Sequence, residues 1–174
     1  MATRQHRFFI LTVTLGLISA LNCGGKPHPS DSALEMNFHK HEMDFQRLVS
    51  MSNEDRSVVR IADDFNWLDD DHSWPRTGPE RGLSKNRWDA YRSLFNDLGL
   101  KCGLTRPENS DIIVFCASAT GIVTNGTDKG YAYSEAELTP TVESLDAVPE
   151  ILKNQRIVYK SLASHWYLYY FQGS

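Results

Sequence analysis

The chain has 174 residues, a mass of 19.8 kDa and a formal charge of −4. That length suggests one domain, and a hydrophobic content of 41% with 11% aromatic residues excludes wholesale disorder. The acidic balance argues against a nucleic-acid protein, which usually carries a basic patch or stripe, and three cysteines are too few for a disulfide-dense scaffold.

Arg4 and Arg7 precede an uncharged, mostly apolar run over residues 8–21. A spanning helix needs roughly 20 such residues, so the run reads as a signal peptide covering 1–22. It ends in Ala20-Leu21-Asn22-Cys23, followed by Gly24 and Gly25. A cysteine at that place resembles the bacterial lipobox, with Ala20 where Leu is preferred and Asn22 where a small residue is preferred. The resemblance implies a lipid anchor at Cys23, hence a membrane as partner. With Gly24 rather than Asp next, it implies an outer-membrane lipoprotein facing the periplasm. The alternative is ordinary cleavage and a soluble secreted protein. Residues 23–32 then form anchor and tether, rich in Gly, Pro and polar residues, and residues 33–174 a single domain.

Ser32-Ala33-Leu34-Glu35 is a capping-box sequence. Leu34, Phe38, Phe45, Leu48 and Val49 behind it fit one apolar helix face, which predicts a helix over 33–52. Residues 57–62 (SVVRIA) predict a short strand. Residues 63–82 are the longest irregular segment, of the kind that is either functional or disordered. Trp67 and Trp74 argue for anchoring there. Residues 85–98 predict a second helix, with Ser84 as N-cap, Leu83 and Trp88 as a hydrophobic staple, and Gly99 as terminator.

Strand signals dominate from there. Residues 101–105 and 112–118 flank the turn formers Pro107-Glu108-Asn109-Ser110-Asp111. A hairpin centred on Asn109 sets Cys102 opposite Cys116, within disulfide reach. The other reading is two reduced, buried cysteines. Asn125-Gly126 predicts a second hairpin, pairing 112–124 with 127–134. Residues 140–155 are ambiguous, because Pro149 breaks any long helix. Residues 157–161 and 165–171 predict a last hairpin around 162–164. Its second strand is apolar or aromatic on both faces, as in a strand covered on both sides. The order predicts an α+β fold, two N-terminal helices packed on an antiparallel sheet formed mainly by the C-terminal half.

Chemical signals are weaker. His39 and His41 point about 200° apart on a helix, so they do not share an ion. Asp69-Asp70-Asp71-His72 lacks the EF-hand spacing and reads as a solvated acidic loop. No G-x-S-x-G motif occurs, and Ser118 and Ser134 have no histidine nearby in sequence. Asn125-Gly126-Thr127 matches a glycosylation sequon, which its turn role explains. In a strand, Lys129, Tyr131 and Tyr133 share one face, either as a binding surface for an anion or aromatic group or as plain packing. Those three, with Trp74, are the candidate binding residues. No metal site and no cofactor are expected.

The segments GLSKNRWDAYRSLFNDLGL (82–100), KGYAYS (129–134) and WYLYY (166–170) together resemble a family of small uncharacterised bacterial exported proteins and lipoproteins, over roughly residues 34–171. The resemblance implies export and the α+β order, and no catalytic residues. The expected function is non-enzymatic: an envelope-tethered domain binding another protein, as in immunity or enzyme inhibition, or a small envelope ligand. The alternative is a hydrolase of envelope material using the acidic loop and His72 or His165.

Overall fold

The computed structural model describes residues 28–64, 66–68, 82–107, 110–121, 126–147 and 156–173. The signal segment, Cys23, Asp69 to His72 and Trp74 lie outside the described residues. The elements are α1 (Asp31–Lys40), α2 (Glu42–Glu54), β1 (Val58–Ile61), β2 (Asn66–Leu68), α3 (Lys85–Leu98), β3 (Leu104–Thr105), β4 (Ile113–Thr120), β5 (Thr127–Tyr133), β6 (Ile157–Ala163) and β7 (Trp166–Gln172). All strands join one antiparallel sheet in the order β2-β1-β3-β4-β5-β7-β6. The fold is α+β.

The first predicted helix is two. It starts at Asp31, because Ser30 rather than Ser32 is the cap and accepts from the Ala33 amide at 3.3 Å. It breaks at His41, whose φ of −125° and ψ of 25° leave the helical region. The apolar stripe survives the break, and Phe38 and Phe45 stack at 5.3 Å. α3 forms as its capping signals dictate. Ser84 accepts from the Arg87 amide, Gly99 sits at φ 68°, and the Leu100 amide returns to the Phe95 carbonyl at 2.8 Å.

Three hairpins form between the expected strands with shifted registers. In the first, Leu104 faces Phe115 rather than Val114. Gly103, at φ 71°, then takes up one extra residue. The Cys102 amide donates to the Cys116 carbonyl, and the Cys116 amide to that of Gly103. The bulge restores Cys102 opposite Cys116, and the two form a disulfide across 5.1 Å of Cα separation. In the second, Thr127 pairs with Thr120 rather than with Thr124, the partner that a two-residue Asn-Gly turn requires, and Asn125 lies outside the described residues. Gly121, directly after Thr120, sits at φ 90°. In the third, Ala163 pairs with Trp166, and the turn is Ser164-His165 rather than 162–164. His165 supplies the positive φ, 63°, that tight hairpin turns require.

The main core joins helix and strand rings. Phe38 lies 5.1 Å from Trp166, Phe45 lies 4.5 Å from Tyr131, and Phe115 lies 5.6 Å from Trp166. A smaller cluster of Ala132, Leu138, Tyr159 and Tyr169 occupies the other sheet face. β7 contributes to both clusters, as its two-sided pattern predicts.

Candidate functional site

Three of the expected site residues alternate along β5 on the face toward the main core. Lys129 is only 2% exposed. A buried ammonium requires paired charge, and Lys129 Nζ lies 2.8 Å from Asp31 Oδ1 and 2.6 Å from Asp146 Oδ1. Asp31, buried at the start of α1, also accepts from the Leu145 amide at 2.8 Å and the Ser144 hydroxyl at 3.1 Å. Lys160 reaches Asp31 at 3.4 Å and Glu35 at 2.6 Å. Burial raises the Asp31 carboxyl pKa. Lys129 and the Leu145 amide outweigh burial and hold it below its ordinary value. This cluster clasps α1 to β5, β6 and the 140–147 segment.

Tyr131 is fully buried. Its hydroxyl donates to the Leu34 carbonyl at 3.1 Å and accepts from Asn37 Nδ2 at 3.0 Å. Burial pushes its pKa up to about 12. Tyr133 is partly buried against Trp166, and its hydroxyl bonds to Glu135. Lys129 and Tyr131 are therefore both interior side chains, and Tyr131 also lines the cavity beside α1. The strand alternation sets their shared face, but the partners that bury them lie 97 and 98 residues away in sequence, at Leu34 and Asp31. Trp74, the fourth candidate, falls outside the described residues.

A second arrangement begins at a β-bulge in β4. Cys116 pairs with Gly130 and Ser118 with Lys129, which leaves Ala117 as an extra residue. A Cβ at Gly130 would stand 2.1 Å from the Phe115 carbonyl oxygen and 2.8 Å from the Ala117 amide nitrogen. Only glycine admits this close approach. The extra residue shifts the alternation, so Ser118 points to the same side as Lys129.

There Ser118 meets His28, 90 residues earlier. His28 Nδ1 lies 2.6 Å from Ser118 Oγ, and Nε2 lies 2.7 Å from Thr127 Oγ1. Thr127 Oγ1 is in turn 2.7 Å from Thr120 Oγ1. The Tyr170 ring meets the imidazole edge-on at 5.5 Å. Burial, and then the charge of Lys129, hold His28 below its ordinary value of 6.5. The imidazole is neutral at pH 7, with one donor and one acceptor nitrogen.

Ser118 lines a cavity of about 690 Å³ between α1, the end of α3 and β4. Leu34, Leu98 and Ala117 give it apolar walls, while Asn37, Ser118 and Lys101 bring polar groups. A smaller hollow of about 340 Å³ opens toward the other sheet face, beside Arg60, Asp128 and Tyr169. Burial raises the Asp128 carboxyl there, partly offset by the Arg60 charge.

His165 sits at the exposed hairpin turn, 3.7 Å from Glu135. The Ser134 hydroxyl accepts from the Ala136 amide. Among the described residues, no three His, Cys, Asp or Glu side chains gather to hold a metal, and no helix is long and apolar enough to cross a membrane. Comparison with protein-family models, with curated proteins and with solved structures gives no match.

Proposed function

We propose that this is an exported, envelope-tethered domain that binds a small, partly apolar envelope ligand in the cavity beside Ser118. The cavity carries the reading. Its volume of about 690 Å³ falls within the range typical of small-molecule sites, about 300–1,000 Å³. Apolar walls with a few polar groups suit an amphipathic molecule, and Lys101 favours one with an anionic end. A concave site of this kind supports a small ligand over a protein partner, which favours a flat apolar patch. In this reading the helices form a layer on one face of the sheet, and the cavity lies between the two layers.

Export is supported by the signal-like segment and by the disulfide, a bond that persists in oxidising compartments. Cys23 precedes His28 by five residues, a reach of about 17 Å when extended. With a lipid on Cys23, the cavity lies close to the membrane surface. An outer-membrane anchor facing the periplasm and the resemblance to small exported bacterial proteins belong to the same proposal.

The test is titration of the folded 23–174 protein with 8-anilinonaphthalene-1-sulfonate, an aromatic anion. Saturable 1:1 fluorescence enhancement is expected. Ala33 is exposed and lines the cavity, so Ala33→Trp fills its mouth and weakens binding by about tenfold or more. Absence of saturable binding to the folded protein overturns the reading.

A further inference from the structure

We propose that Ser118 is a nucleophile, with His28 as its base, that takes the acyl group from a carboxylic ester held in the cavity. The inference rests on the cavity reading only for the place of the substrate. It goes beyond binding because Ser118, on this wall, and its partner His28 have the geometry of a reactive pair.

The 2.6 Å separation of Ser118 Oγ from His28 Nδ1 lies within nucleophile-to-base reach, about 2.6–3.2 Å. A neutral imidazole is the form that accepts a proton. Thr127 fixes the ring from the other side. When Nε2–H donates to Thr127 Oγ1, Nδ1 keeps its lone pair for the Ser118 proton, and the Thr127 hydroxyl passes its own proton toward Thr120. Lys101 adds a positive charge to the lining of the same cavity. Ordinary alternation along β4 would turn Ser118 to the opposite sheet face. The bulge at Ala117, made possible by Gly130, aims it at His28 and the cavity instead. Bulges of this kind recur beside active sites, where they re-aim a side chain.

In the step itself, Ser118 Oγ bonds to the carbonyl carbon and its proton passes to Nδ1. The bond from that carbon to the alcohol oxygen breaks, and the alcohol leaves with the proton. Water then attacks the acyl-serine. One water proton travels through the same nitrogen to Ser118 Oγ, and the carboxylic acid leaves. Apolar walls select esters with an apolar acyl chain.

A fluorophosphonate probe tests the nucleophile, because the serine oxygen displaces fluoride to form a stable phosphonyl ester. The expected result is one adduct per chain, located at Ser118 by peptide mass spectrometry, with turnover of p-nitrophenyl butyrate. Ser118→Ala abolishes both. His28→Ala slows both by about a hundredfold or more, and His28→Gln serves if the alanine variant does not fold. The inference is overturned if wild-type protein that binds the anilinonaphthalene probe takes no adduct at Ser118. It is equally overturned if the labelling rate survives loss of His28 in a folded variant. Loss of probe binding by wild type overturns the cavity reading instead, so the two failures are distinguishable.

Discussion

Two neighbouring positions on one face of strand β5 (Thr127–Tyr133) solve opposite problems. At Lys129, opposite charges fill the space around the ammonium, and α1 is tied to the sheet by groups that have no room left for a ligand. Two residues earlier, at Thr127, a chain of hydroxyls and an imidazole ends at Ser118 on the wall of an open cavity. A saturated buried cluster is a structural device, and a polar chain ending at unfilled volume is equipped to meet a second molecule. Neighbouring positions on one strand therefore have different roles.

The largest expected effect separates the two. Lys129→Met leaves Asp31 buried beside an apolar side chain, and loss of one partner from a buried pair costs about 3–5 kcal/mol. Urea unfolding should show that loss. Adding Asp31→Asn should recover part of it, because the carboxylate, left with the more distant Lys160 as its cation, then loses its charge. Equal stability of the single variant and wild type would mean that the clasp is no clasp.

Gly130→Ala acts on the other side of the comparison. Its Cβ collides with the β4 backbone, at an expected cost of about 1–3 kcal/mol. The bulge must shift, and Ser118 moves relative to His28. Labelling of Ser118 should slow more than Tm falls would suggest, while the ion pairs of Lys129 persist.

The smallest effect is in the pH dependence. His28 and Asp31 are both held below their ordinary values, 6.5 and 3.8. Each binds protons more weakly in the folded chain than in the unfolded one. The unfolded state therefore takes up more protons as pH falls, and stability falls with it. The contribution of His28 is present above about 6.5 and is lost as pH drops through its lowered folded value. That of Asp31 is lost in the same way below about 3.8. Thermal melts should show both declines in wild type, and His28→Gln should remove only the upper one.

Local chemistry was legible in the sequence wherever a few neighbouring residues decide it. Ser84, Leu83, Trp88 and Gly99 set the bounds of α3, and the cysteine pair was visible through its hairpin spacing. Registers were less legible, because Gly103 and His165 each move a turn or add a residue through a positive φ that spacing does not reveal. The break at His41 likewise leaves the apolar stripe intact and so leaves no mark in the pattern. Site residues were the least legible. Lys129 and Tyr131 were singled out for the right strand face, but what buries them is Asp31 and Leu34, far away in the chain. His28 stood in a segment read as tether, and the 90 residues between it and Ser118 hide the pair from any local motif. The available signal was Gly130 in the middle of a strand of larger residues, a common mark of a bulge in the neighbouring strand.

The most direct test of the binding account is recovery of the tagged protein from its native envelope, followed by denaturation and mass spectrometry of the small molecules released. The account predicts one amphipathic molecule per chain from wild type and little from Ala33→Trp. Folded wild type that releases no such molecule, and holds a stoichiometric protein partner undisturbed by Ala33→Trp, would contradict it.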